Sequence, residues 1–303
     1  MEHDTAGDPM TGLRWTRKTT GKIANQLASL GISVSPNTVA RLLQEMGFSL
    51  RVNHKKVSNG NPVDRDAQFD YISQLRGQFS EQGEPAISVD TKKKELVGNF
   101  KNPGEAWNRR PVLVNDHDFR SMADGIAVPY GIYDVRANQA LVFVGDSRDT
   151  AQFTVDCIES WWRHDGRARY PEATALLILA DGGGGNGRTN RSWKLGLQEK
   201  LCDRHGIAVT VCHYPPGASK WNPIEHRLFS EISKNWAGRP LDSYDTILNY
   251  IRTTSTCSGL KVDAQLLTGE YPTGVKVPDD QMDQLALEKH KVLPKWNYTL
   301  RPR

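Results

Sequence analysis

Two short apolar runs, each ending on an aspartate, constrain this chain more than any other feature. Ala86-Ile87-Ser88-Val89 is followed by Asp90, and Leu176-Leu177-Ile178-Leu179-Ala180 by Asp181. The second run contains no polar position, so it reads as a strand covered on both faces and central in its sheet. Val128–Val135 and Ala140–Val144 are further β-rich runs, and the turn Arg136-Ala137-Asn138-Gln139 between them predicts a hairpin. Ile207–Cys212 is another strand. Helical periodicity lies between: a stretch capped by Asp149 or Thr150 with Ala151, Val155, Ile158 and Trp162 on one face, then Ser192–His205, then Asn222–Asn235. Strands, a hairpin and then alternating strands and helices predict an α/β fold with a mixed sheet and flanking helices.

The sequence before Pro62 has a different character. The first ten or so residues are polar and are expected to be loose. Ile23, Ala24, Leu27, Ala28 and Leu30 then form one helical stripe that stops at Gly31. A second helix is punctuated by Ser35 as N-cap, Pro36 at the first helical position and Gly47 at the stop. Its expected buried face is Val39, Leu42, Leu43 and Met46. Its expected exposed face includes Arg41 and Gln44. Between Thr11 and Ser58 there are eight basic residues and one acid, Glu45. Two short helices with that surplus fit a helix-turn-helix, in which Arg41 and Gln44 would meet base edges or phosphates; a plain packing hairpin is the other reading. Asn53–Pro62, with Lys55 and Lys56 as candidate DNA contacts, reads as a linker. Asp64–Phe79 is a further amphipathic helix, with Phe69, Ile72, Leu75 and Phe79 on one side.

Several function classes drop out. No stretch approaches the length and apolarity of a membrane span, and the N-terminus lacks the apolar core of a secretion signal. The four cysteines form no C-x-x-C pair, so neither a zinc site nor a disulfide framework is suggested. A reduced, cytoplasmic protein is expected, nucleoid-associated when bound to DNA. Gly182–Thr189 nearly matches a nucleotide P-loop, but Arg188 stands where the lysine belongs and Asp181 would oppose the phosphates. No nucleotide cofactor is therefore expected.

Asp90 and Asp181 each follow a strand directly, and strand ends at one sheet edge are where open α/β sheets place their sites. Glu225 stands in the first turn of a helix after a tight loop. Three carboxylates placed this way suit hard divalent ions, Mg2+ or Mn2+ and two of them, for phosphodiester chemistry. Asp134 is the main rival for the first position, and Asp116-His117-Asp118 is a weaker metal cluster. Lys92, Lys93 and Lys94 are either phosphate contacts or a solvated hairpin tip; Arg109 and Arg110 are weaker candidates of the same kind. Lys220 and Trp221 precede Glu225 as a candidate phosphate contact and a candidate base-stacking ring. His213, His226 and Arg188 are candidate accessory groups.

The stretch HYPPGASKWNPIEHRLFSEI (His213–Ile232) resembles the last catalytic motif of the DDE transposases. SVDTKKKELVGNF (Ser88–Phe100) and DGGGGNGRTNRSWK (Asp181–Lys194) look like the first and second motifs of one branch. YGIYDV (Tyr130–Val135), Trp161-Trp162, LRWTRKTT and NTVARLLQEMGFSL are similar to it as well. That branch is the Rhodopirellula-type DDE transposases, the ISAzo group of bacterial insertion sequences. The resemblance implies a ribonuclease H-like fold, a magnesium-dependent site and insertion-sequence mobility. Its acidic triad falls on Asp90, Asp181 and Glu225. Members usually carry more helical sequence before this point, so Met1 is expected to open a truncated copy or a partial reading frame.

The sequence thus predicts three parts: 1–62, a helix-turn-helix module and linker; 63–256, a ribonuclease H-like catalytic domain; and 257–303, an irregular or short-stranded extension packed on the core. The expected function is metal-dependent hydrolysis and strand transfer on double-stranded DNA, at element ends and target, by a homodimer or higher oligomer. Two alternatives are a nuclease that cuts without joining and an inactive DNA-binding relic.

Overall fold

The apolar run at Leu176 sits at the centre of a nine-stranded mixed sheet. The computed structural model describes residues 5–7, 14–16, 18–49, 62–218 and 221–303, and the chain forms two compact units, Met1–Val57 and Ser58–Arg303.

In the first unit, strands β1 (Thr5–Gly7) and β2 (Arg14–Thr16) pair antiparallel, where loose chain was expected. Helices α1 (Thr20–Ser29) and α2 (Pro36–Glu45) follow. Each has a side-chain cap: Thr19 accepts from the Lys22 N–H and Ser35 from the Thr38 N–H. Their shared core is small, with Ile23, Ala24 and Val39 buried and Leu27, Val34 and Leu43 partly so. The expected stripes are therefore too wide. Leu30, Leu42 and Met46 are exposed among the described residues. The expected linker residues 53–61, Lys55 and Lys56 among them, lie outside the described residues.

The second unit begins with α3 (Pro62–Glu81), which presents Phe69, Ile72, Leu75 and Phe79 to the sheet. Then come β3 (Ala86–Thr91), β4 (Glu95–Val97), β5 (Gly125–Asp134), β6 (Gln139–Gly145), α4 (Ala151–Trp161), β7 (Ala175–Ala180), α5 (Arg191–Leu197), β8 (Ala208–His213), α6 (Ser230–Asn235), α7 (Tyr244–Arg252), β9 (Lys261–Leu267), β10 (Leu287–Lys289) and β11 (Asn297–Leu300). Wide π-type turns extend α4 and α5 and lead into α6, the last over Glu225–Phe229. The strand order is β10-β11-β8-β7-β3-β5-β6-β9, with β4 on β5. β3, β7 and β8 run parallel, and β5 is antiparallel to both β3 and β6. This is the ribonuclease H-like mixed sheet with flanking helices that the sequence predicts.

The period-two geometry of β7 explains why its run is wholly apolar. Leu176, Ile178 and Ala180 join the core under α4 and α5, while Leu177 and Leu179 pack under α3. A third cluster lies between the sheet and α6 and α7.

α7 and β9 have no counterpart among the sequence expectations. α7 carries its own cap, Ser243, and an apolar stripe of Ile247, Leu248 and Ile251. β9 pairs parallel with β6, and its alternation of Val262, Ala264 and Leu266 with Lys261, Asp263 and Gln265 turns Val262 and Ala264 onto the core, a strand signal legible in the sequence. The C-terminal residues are thus part of the sheet itself. β11 inserts between β8 and β10, and Asn297 exchanges hydrogen bonds with Gln68 of α3 (2.7 and 2.6 Å). Among the described residues no helix is long and apolar enough to cross a membrane.

Candidate active site

Parallel pairing of β3 with β7 sets Val89 beside Ala180, so the residues that follow, Asp90 and Asp181, leave neighbouring strands at the same sheet edge. Backbone amides orient both. The Thr91 N–H donates to Asp90 Oδ1 (2.8 Å) and the Gly183 N–H to Asp181 Oδ1 (3.1 Å).

Glu225 arrives from far along the chain, and two features bring it in. The first is a buried polar lock. Ser88 Oγ donates to Asn222 Oδ1 and accepts from the Ile224 N–H (3.1 Å), and Asn222 Nδ2 donates to the Val89 carbonyl (3.4 Å). Ser88 and Asp90 share one face of β3, so this lock docks the Asn222-Pro223-Ile224-Glu225 turn directly against Asp90. The second is Gly131, the β5 partner of Asp90. A Cβ there would sit 2.7 Å from the Phe229 ring and 2.8 Å from Ile224. Only glycine lets the helical segment of Glu225 lie this close to the sheet.

The carboxyls of Asp90 and Glu225 come within hydrogen-bond reach of one another. Burial first, then the Asp181 charge, pushes Asp90 up to about 8. Burial also raises Asp181, with the Asp149 charge adding to it and the Gly183 N–H opposing it. Glu225 is raised by burial as well, while the Asp90 hydrogen bond holds it back. Like charges crowded in a half-dry edge disfavour full ionisation. Among the described residues no group of three His, Cys, Asp or Glu side chains is drawn tightly enough around one point to hold an ion as it stands. The donor set nevertheless suits a divalent cation: all hard oxygens, on converging elements, with a shared proton relieving the repulsion a cation would relieve.

A fourth carboxylate, whose place in the sequence marks it only as a helix cap, stands beside this cluster. Asp149 Oδ1 accepts from Thr91 Oγ1 (3.1 Å), and burial raises its pKa. Thr150 performs the capping of α4, accepting from the Phe153 N–H (3.4 Å), which leaves Asp149 free to face the site. The glycine-rich loop after Asp181 makes this possible. It lies on the first turn of α4, where a Cβ on Gly185 would fall 2.8 Å from the Thr150 carbonyl oxygen. Two carboxylates flank this loop, which is hostile to the phosphates of a nucleotide.

His213, at the end of β8, is fully buried. Its Nδ1 lies 3.0 Å from the Asp181 carbonyl oxygen, which can only accept, so Nδ1 carries the proton. Nε2 is buried without a partner, and burial pushes the ring down to about 4. His213 is therefore a neutral ring at neutral pH whose Nδ1–H braces the Asp181 backbone. His226 is exposed; its charge lowers Glu225. Arg188 is half-buried and within electrostatic range of His213.

Asp134 is not part of the site. It pairs with Ile87, three positions back along β3 from Asp90. Its buried carboxylate accepts from Arg169 (2.8 Å), Tyr170 (2.9 Å) and the Arg136 and Ala137 N–H groups (3.1 and 3.0 Å). It closes the β5–β6 turn. Asp116, His117 and Asp118 are exposed, and His117 turns to its neighbour's carbonyl. Lys92 is not at a solvated tip: it pairs with Glu95 (3.2 Å) and lies over the Trp236 ring (4.5 Å). Lys93 and Lys94 are exposed. Trp221 is half exposed, with its ring edge against Phe69. Lys220 lies outside the described residues. In the first unit Arg41 and Gln44 are exposed, Arg41 in an ion pair with Glu45 (2.7 Å).

No curated protein matches this sequence. Among solved structures, the chain is similar to the Mos1 transposase paired-end complex with left transposon end (17% identity, TM-score 0.46, covering 77% of this chain and 65% of that one). It is similar also to the Mos1 strand transfer complex (15%, 0.46, 77% and 64%). The chain thus spans just under two thirds of those proteins' length. The family described as Rhodopirellula transposase DDE domain matches over residues 1–302. With nearly every residue inside that match, the chain belongs to the Rhodopirellula transposase DDE domain family.

Proposed function

We propose that this protein is a DNA transposase that cuts and joins phosphodiester bonds at an insertion sequence, with Asp90, Asp181 and Glu225 holding divalent metal ions. The observation that carries the reading is the convergence of these carboxylates: Asp90 and Asp181 leave neighbouring parallel strands, the Ser88–Asn222 lock sets Glu225 against Asp90, and burial with the Asp181 charge pushes Asp90 up to about 8. Such a cluster has a strong electrostatic reason to take up cations. Bound there, a pair of magnesium or manganese ions supplies the positive charge that stabilises the attacking and leaving oxygens of phosphoryl transfer.

The chain's own groups set the geometry. The Thr91 and Gly183 N–H groups aim Asp90 and Asp181. The Ser88–Asn222 lock sets Glu225, and His213 braces the backbone of Asp181. Lys93 and Lys94, exposed after β3, would meet the phosphate backbone of double-stranded DNA. Arg41 and Gln44 are the candidates in the first unit for contacts to the element end. Assembly on DNA as a homodimer or higher oligomer completes the proposal.

The test is Asp181→Asn. It should abolish manganese-dependent cleavage of a labelled duplex carrying the element end and leave DNA binding largely intact. Metal-dependent cleavage that persists in this variant would refute the assignment. A strand-transfer assay with a pre-cut end then separates a transposase from a nuclease that only cuts.

A further inference from the structure

The segment that joins β4 to β5 is tied at its base and open at its tip. The Gly98 N–H donates to Leu241 (2.8 Å), the Asp124 N–H to Val97 (2.9 Å), the Asn115 N–H to Asn99 (2.9 Å) and the Gly238 N–H to Pro103 (2.9 Å). Between these ties, residues 104–113 are exposed without a break. Trp107 presents its whole side chain to solvent, and Leu113 is 84% exposed. Phe119 and Met122 are more than half exposed on the same segment. Four exposed large apolar side chains on one segment mark it as a candidate interaction site.

Three features indicate what it binds. From Ala106 to Asn115 the only charged residues are Arg109 and Arg110, directly after the exposed indole; the segment's acids, Glu105, Asp116, Asp118 and Asp124, lie outside that run. At the base a groove of about 310 Å³ is lined by three lysines, Lys93, Lys94 and Lys101, and two acids, Glu95 and Asp118. The location is also telling. β4 pairs with the first residues of β5, Gly125–Ala127, whereas Asp90 pairs with Gly131. The segment therefore lies beyond the end of β3 that carries the carboxylates.

We propose that residues 104–113 are a docking surface for unpaired nucleotides that lead away from the cut site, with Trp107 stacking on a base and Arg109 and Arg110 on the adjoining phosphates. An aromatic platform flanked by arginines is the arrangement that holds single-stranded nucleic acid irrespective of sequence. The inference rests on the DNA-cutting reading above and specifies which part of the substrate this face meets.

The experiment uses the full chain without divalent metal, so that no cleavage occurs. Binding of a fluorescent duplex is compared, by anisotropy, with binding of the same duplex carrying a short single-stranded overhang. Trp107→Ala should weaken the overhang duplex about tenfold or more and leave the blunt duplex nearly unchanged. Trp107→Phe should recover much of the loss. Arg109→Ala with Arg110→Ala should reduce the salt slope for the overhang duplex by roughly 1.4, as expected for two lost single-strand phosphate contacts. All three side chains are exposed, and circular dichroism confirms the fold of each variant. Equal affinities of wild type and Trp107→Ala for the overhang duplex would overturn the proposal. So would a change in sedimentation without a change in DNA affinity, which assigns the surface to a second copy of the chain. Cleavage that survives Asp181→Asn sinks the catalytic assignment alone, because this comparison is made without metal.

Discussion

Ser88 and Asn222, 134 residues apart in sequence, share a buried hydrogen bond that ties the strand of Asp90 to the turn of Glu225. The same hydroxyl accepts the Ile224 N–H, so a single serine orients the backbone one residue before the third carboxylate. Asn222→Leu should therefore have two separable effects. It leaves the Ser88 hydroxyl and the Val89 carbonyl without their partner, costing about 1–3 kcal/mol in urea denaturation. It should also lower metal-dependent cleavage well beyond the loss of folded protein, because Glu225 is no longer held. Equal losses of stability and activity would mean that the lock is structural only.

Asp90 makes the stability of the metal-free protein depend on pH. Its carboxyl is pushed up to about 8 in the folded state, against an ordinary value of about 3.9. Between those values the folded chain keeps a proton that the unfolded chain has released. The stabilisation is fully present below about 4 and is lost as pH rises through about 8. The urea midpoint without metal should fall from about pH 5 to about pH 9, and Asp90→Asn should flatten that fall.

Metal should reverse this loss. Near pH 8 added manganese should stabilise the wild-type protein by mass action, by about 2.7 kcal/mol when free metal is a hundredfold above Kd, read as a raised thermal midpoint. Asp181→Asn should shrink the shift sharply. Asp149→Asn should also reduce it, because Asp149 adds its charge beside Asp181. An undiminished shift in Asp149→Asn would remove that residue from the cluster.

Gly131→Ala tests the close approach of the Glu225 segment. The added methyl meets Phe229 at 2.7 Å and Ile224 at 2.8 Å, both buried side chains with little room to retreat. A cost of about 1–3 kcal/mol is expected from overpacking, with cleavage reduced as the segment is pushed off the sheet. Wild-type stability would show that the segment shifts freely.

Asp134→Ala should behave in the opposite sense. It removes a buried carboxylate and strands Arg169, for a loss of about 3 kcal/mol, at the low end because Arg169 keeps a quarter of its surface in water. Cleavage per folded molecule should be unchanged, since Asp134 lies roughly 10 Å along the strand from the site.

The sequence by itself determined the sheet and two of its strand-end acids. An apolar run such as Leu176–Ala180 has one stable location, between two covered faces, and an aspartate directly after such a run emerges at the sheet edge. It also determined the cap at Ser35, a local hydrogen bond, and narrowed that of α4 to Asp149 or Thr150. The family motif, together with a position in the first turn of a helix, singled out Glu225.

Tertiary structure decided what depends on distant partners. Asp149 and Asp134 look alike in sequence, as acids beside a turn or a helix start. Packing of the glycine loop on α4 brings Asp149 to the site, while Arg169 and Tyr170 claim Asp134 elsewhere. Lys92 reads as one of three equivalent lysines until Trp236 and Glu95 enclose it. β9 carries a strand's alternation in Val262, Ala264 and Leu266, but which strand it joins is decided by its parallel backbone pairing with β6, and backbone hydrogen bonds leave no mark on side-chain identity.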